Sequence, residues 1–157
     1  MSYAENTTVP VERSIAEIIG LVKKAGAERV AQYDELDRFT VAFDLAGRHV
    51  RFRVALPQID DVPEVRGDGR RRTAAEIIAK RDALQRQRAR ALLLVIKAKL
   101  ESVESEVETF EEAFLANIMM ADGATVYERV AAPIALEYAD SGPQTLLLSG
   151  PSGGSMP

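Results

Sequence analysis

The apolar positions of this 157-residue chain change period along its length, and each period names an element. Ile15, Ile18, Ile19 and Val22 recur at helical spacing and predict a first amphipathic helix. Ser14-Ile15-Ala16-Glu17 has the form of a capping box, with Pro10 an alternative earlier start. Lys23 and Lys24 suit the negative end of the helix dipole, and Gly26 suits its stop. The period then falls to two. Glu28 to Asp34 is a weak first strand. Phe39, Val41, Phe43 and Leu45 alternate with Thr40, Ala42 and Asp44 in a strong second one, Arg38 to Leu45. Ala46-Gly47-Arg48 reads as a tight turn. Val50, Phe52, Val54 and Leu56 return as a third strand, His49 to Leu56, with His49, Arg51 and Arg53 on its other side. Such a meander has one apolar face under helices and one polar face toward water.

Gln58 to Arg72 carries no period. It reads as a polar loop, acidic then basic, mobile or functional. From Arg70 to Met120 there is no proline or glycine. Thr73 to about Glu104 is predicted as one long helix. Leu93, Ile96, Leu100, Val103 and Val107 form its seam, and its N-terminal half is poorer in apolar residues and free to project. Thr109-Phe110-Glu111-Glu112 opens a short helix whose apolar face is Phe110, Phe114, Leu115 and Ile118. Thr125-Val126-Tyr127-Glu128 opens another, to about Tyr138, bent near Pro133.

The expected fold is therefore α+β: an N-terminal helix, a three-stranded antiparallel meander, a long helix and a small helical C-terminal part. By residue, 1–104 is the α-β-β-β-α domain, 105–148 a helical extension packed on it, and 149–157 a disordered tail. Double-stranded-RNA-binding domains share the element order, and single-strand annealing proteins share its strand-strand-strand-helix portion. Neither family's motifs are present, and order alone does not set function.

Composition narrows the chemistry. At 46% hydrophobic and 28% charged, with net charge −4, the chain reads as a globular protein. It has no cysteine, which removes disulfides, thiol nucleophiles and thiolate metal sites. No basic-then-apolar leader opens it, and Ala91 to Ile96 is far short of a span, so neither a signal peptide nor a membrane segment is expected. The one histidine, His49, sits beside arginines that disfavour its protonation, and no triad pattern surrounds it. Asp60-Asp61 and Glu111-Glu112 are weak as metal ligands, the second pair because adjacent helical residues do not share a face. Gly67-Asp68-Gly69 lacks the flanks of a phosphate loop. No catalytic residue, metal or cofactor is expected.

Charge distribution is the unusual feature. Between Arg66 and Arg90 nine basic residues face three acidic ones, whereas Glu101 to Glu112 holds six acids and no base. Arginine suits bidentate phosphate contact. The expected nucleic-acid-binding set is Arg51, Arg53, Arg70, Arg71, Arg72, Lys80, Arg81, Arg86, Arg88 and Arg90. Phe39, Phe43 and Phe52 fall on the buried side, so backbone contact is expected rather than base stacking.

The phrases MSYAENTTVPVERS, LLLVIKAKLESVES and TFEEAFLANI resemble a family of uncharacterised bacteriophage and prophage proteins. That resemblance implies a phage origin and the cytoplasm of a bacterial host. Two functions are expected from different classes. The first is a non-enzymatic phage accessory protein that binds DNA or RNA backbone through the arginine-rich hairpin and helix. The second is a protein-interaction or oligomerisation module acting on a host or phage protein through the long helix. A homo-oligomer is expected in either case, the long helices pairing antiparallel with Arg86 and Arg88 near Glu104 or Glu108 of the other copy.

Overall fold

A computed structural model describes residues 4–143. The expected tail, 149–157, and the last residues of the expected extension lie outside the described residues. The fold is α+β, in the expected order.

Helix α1 spans Val11–Lys24 and starts at Pro10, not at Ser14. Proline has no amide to satisfy and its fixed φ is already helical, so it begins the helix one turn earlier. Ser14 therefore lies inside the helix, its amide on the Pro10 carbonyl (3.2 Å) and its buried hydroxyl without a partner among the described residues. Strands β1 (Val30–Asp34), β2 (Arg38–Leu45) and β3 (Arg48–Ala55) form an antiparallel sheet in the order β1-β2-β3. The turn between β2 and β3 is two residues, Ala46 and Gly47, both at positive φ (51° and 72°). This turn type matches the twist of the strands and pairs Leu45 with Arg48, so β3 begins one residue before the expected His49.

Phe39, Val41, Phe43, Val50 and Phe52 point to one side, where they pack on Ile15, Ile18 and Val22 of α1. Helix α2 (Ala74–Glu104) closes the same core with Ala89, Leu92, Leu93 and Ile96. Its 31 residues make a rod of about 46 Å, held at its start by the reciprocal Thr73–Glu76 capping box. Only the first two turns of α2, 74–80, are exposed apart from Ile77; the rest of the half expected to project is half-buried from Arg81 to Gln87 and tied down by Gln85 and Arg86 on the Pro57 and Thr7 carbonyls. The expected seam stops short. Leu93 and Ile96 are buried and Leu100 and Val103 half-buried, but α2 ends at Glu104, Glu106 turns the chain at φ 58°, and Val107 is 75% exposed.

Helix α3 (Phe110–Phe114) places the fully buried Phe114 edge-on to Phe43 and Phe52, at 6.3 and 6.2 Å between ring centres, with Phe110 stacked outside it at 4.7 Å. Leu115, expected on that apolar face, instead begins a 3-10 turn and is exposed. Ile118 and Met119 then run beside β3, and helix α4 spans Val126–Ala139. The outer edge of β3 is thereby covered: His49, Arg51 and Ala55 carbonyls accept from Met119 N, Asn117 Nδ2 and Arg88 Nη1. An open strand edge is a template for aggregation, and these donors remove it.

Candidate interaction site

The arginines come first, because the charge pattern singled them out. On α2 they tie the fold together. Arg90 Nη1 donates to Glu17 of α1 at 2.7 Å, Arg88 Nη1 to the Ala55 carbonyl at 2.8 Å, and Arg86 Nε to the Thr7 carbonyl at 3.4 Å. Arg81 is spent on its neighbour Asp82 (2.8 Å). Arg51 is the most committed of all. Its side chain is only 13% exposed, with Nη2 on Glu128 at 2.7 Å and Nη1 on the Gly123 carbonyl at 3.2 Å. The face of the sheet expected to be open is therefore covered at Arg51 by the segment leading into α4.

The remaining members lie toward water. The expected loop is ordered by a small hairpin: Val65 pairs with Arg71, Arg66 N donates to the Arg70 carbonyl, and Gly69 makes the turn at φ 83°. It presents Arg71, paired with Glu64 at 3.0 Å, and Arg72, whose Nη1 donates to the Pro63 and Val65 carbonyls. The Arg70 head is exposed and meets no acceptor among the described residues, as are Lys80 on the projecting end of α2 and Arg53 on the sheet. None of the basic residues from Arg66 to Arg90 pairs with the acidic run from Glu101 to Glu112. Of that run only Glu111 meets an arginine, Arg48 of the hairpin, at 2.6 Å.

The lone histidine has a different neighbour from the one its sequence context suggests. His49 Nδ1 pairs with Asp44 Oδ1, and Arg29 Nε holds Asp44 Oδ2, in one row across the sheet. The hydrogen bond from His49, and then that from Arg29, hold the Asp44 carboxyl below its usual range. This is two-thirds of a catalytic triad, and the depression around it is lined by Glu28, Gly47, Arg48 and Met119 with no hydroxyl side chain. Among the described residues lining it there is no nucleophile for the dyad to activate.

The feature that sequence reasoning missed is α4. Its boundaries were legible; its surroundings were not. The helix has no buried residue. Its start is fixed by the Thr125–Glu128 capping box, by Val126 N on the Ile118 carbonyl and by Arg51 on Glu128. That same Arg51 hydrogen bond holds the Glu128 carboxyl below its usual value. Along the helix, Tyr127, Val130, Ala131, Ile134 and Tyr138 fall within an arc of about 100°. Ile134 is 48% and Tyr138 66% exposed. No charged residue falls inside that arc. A stripe of this spacing normally reads as core, which is why periodicity alone could not reveal it as surface. Gly123, with φ 82°, makes the turn that sends the helix away from the sheet.

Among the described residues no helix is long and apolar enough to cross a membrane. The chain matches no protein-family model, no curated protein and no solved structure.

Proposed function

We propose that this chain is a non-catalytic protein-interaction module whose docking element is α4. One observation carries the reading: among the described residues, a helix tied to the sheet through its first turn presents an uncharged apolar stripe on its exposed face. Contiguous exposed apolar surface of this kind marks interaction sites in soluble proteins. An amphipathic helix laid into a partner's groove through residues at i, i+3, i+4 and i+7 is a recurring mode of recognition. The docking element is thus α4 rather than the long helix, whose buried face belongs to the core and whose arginines hold it to α1 and β3. Under the phage resemblance the partner is a phage or host protein in the bacterial cytoplasm. The test is a photo-crosslinking residue at position 134 against a control at Leu36, which is 90% exposed but on a loop. In extract of the cells that carry the protein, discrete adducts at 134 and none at 36 are expected. Equal labelling at both positions would overturn the reading.

A second reading rests on a separate observation. The basic region is not neutralised by the acidic run, and Arg70, Arg71 and Lys80 stay exposed around the hairpin and the projecting start of α2. This end of the molecule suits phosphate-backbone contact. Gel-shift titration with single- and double-stranded DNA and RNA at two salt concentrations tests it, with affinity falling steeply as salt rises. No shift at either salt removes it.

A further inference from the structure

The sheet has two outer edges, and only one is covered. Donors from Met119, Asn117 and Arg88 close the edge of β3. β1 forms the other edge, and its residues from Ala31 to Asp34 are exposed. Among the described residues no backbone group pairs with its outer side. β1 carries no lysine or proline, the residues that usually blunt such an edge.

Hydrogen bonds at the two ends of β1 fix which backbone groups face outward. Glu35 N donates to the Arg38 carbonyl at 2.9 Å, and Asp44 N to the Arg29 carbonyl at 2.9 Å. In an antiparallel pair such bonds recur at every second residue. Arg29, Ala31, Tyr33 and Glu35 therefore bond to β2, and Val30, Gln32 and Asp34 turn their amides and carbonyls away from it.

We propose that β1 pairs antiparallel with β1 of a second copy of this chain, with Gln32 on the two-fold axis, so that one sheet runs through both copies. The contact is separate from α4. Its register follows from the alternation. Pairing about Gln32 sets Gln32 opposite Gln32 and Val30 opposite Asp34, so every outward amide and carbonyl of these residues gains a partner. Sliding the strands by two residues leaves one of the three outside the ladder. The same register sets Arg29 directly opposite Glu35 and the exposed Tyr33 ring opposite the small Ala31. Arg29 and Glu35 are both exposed, Arg29 beside Asp44 and Glu35 at 3.6 Å from Arg38. The other acids of this edge, Glu28 and Asp34, fall opposite Leu36 and Val30, so no two like charges are directly opposed. Because the edge of β3 is closed, pairing stops at two copies, as an isologous contact does. The strand is short, so the dimer is weaker than one with the roughly 20–30 residues a side of a standard interface.

The chain has no cysteine, so introduced thiols report the register. Position 31 of one copy and 33 of the other form a non-hydrogen-bonded pair, with Cα atoms about 4.5 Å apart and within disulfide reach. Positions 31 and 31, or 33 and 33, are diagonal neighbours about 7–8 Å apart and beyond it. Full-length Ala31→Cys and Tyr33→Cys proteins are mixed under mild oxidation. The mixed disulfide is expected to form at least about tenfold faster than either homodisulfide. Gln32→Pro removes an outward amide, which an edge strand tolerates. With its fold checked by melting temperature, it is expected to weaken self-association at least about tenfold in sedimentation run to about 500 μM. Glu35→Arg, which opposes two arginines and leaves the ladder intact, is expected to act in the same direction. Equal rates for the three disulfides, self-association unchanged in both variants, or a wild-type monomer at about 500 μM, where even weak complexes form, would overturn the proposal. Labelling from position 134 is read separately, so failure here leaves the reading of α4 standing.

Discussion

Arg51 and Glu128, 77 residues apart in sequence, meet at 2.7 Å, and their contact sets where α4 leaves the sheet. Arg51 lies half under that segment and donates to Gly123 as well, so one guanidinium fixes both the turn and the first helical turn. Its Nε is buried with no partner among the described residues, which leaves the clamp dependent on these two acceptors. Arg51→Met removes both hydrogen bonds while keeping most of the volume. Amide exchange of Val126 and Met120 is expected to speed up on the order of tenfold, with core amides of β2 unchanged. Equal acceleration throughout would show that α4 is not separately anchored.

The clamp has a pH dependence with a definite sign. The Glu128 carboxyl is held below its ordinary value of 4.5 by Arg51, and that of Asp122 below 3.8 by Arg129. A carboxyl whose folded value is depressed contributes stability above its unfolded value and loses it as pH falls through the folded one. Protection of the Asp122–Glu128 segment is therefore expected to be level from pH 8 to about 5 and to decline below about pH 4.5. A decline already at pH 6 would point to another group.

The aromatic cluster carries the core. Phe52 is buried, stacked 6.3 Å from Phe43 and edge-on to Phe114. Phe52→Ala and Phe114→Ala are each expected to cost about 3–5 kcal/mol in chemical denaturation. Because the two rings touch, the double variant is expected to depart from the sum by more than about 0.5 kcal/mol. A cost below about 1 kcal/mol for either would contradict the packing described.

Two groups of basic residues separate by stability. Arg86, Arg88 and Arg90 each hold an acceptor elsewhere in the fold, and alanine at any of them is expected to cost about 0.5–1.5 kcal/mol. Alanine at Arg70 or Lys80, whose heads meet no acceptor among the described residues, is expected to stay within about 0.5 kcal/mol of wild type. Urea titration of the five variants checks this division. If the nucleic-acid reading holds, the Arg70 and Lys80 variants are also the ones that reduce the salt slope.

What could be read in advance was local. Thr73, Thr109 and Thr125 each precede a glutamate by three residues, and each caps a helix. Strict alternation located β2 to the residue. Ser14 carries the same capping signature and does not cap, because Pro10 supplied a competing start four residues earlier. The candidate site was less legible for a physical reason. Whether an arginine is free depends on partners such as Glu17 for Arg90 or the Ala55 carbonyl for Arg88, dozens of residues away. Whether the stripe on α4 is core or surface depends on what lies opposite it. Neither distance nor environment is written in spacing or composition.

Hydrogen exchange across α4 measures the central claim most directly. Deuterium uptake of full-length protein is compared at low concentration, in cell extract and with added nucleic acid. Lower uptake in Val126–Ala139 in extract, with Glu64 to Lys80 unchanged, is the predicted result. Protection confined to Glu64 to Lys80 on adding nucleic acid, with α4 as exposed as in the isolated chain under every condition, would contradict it.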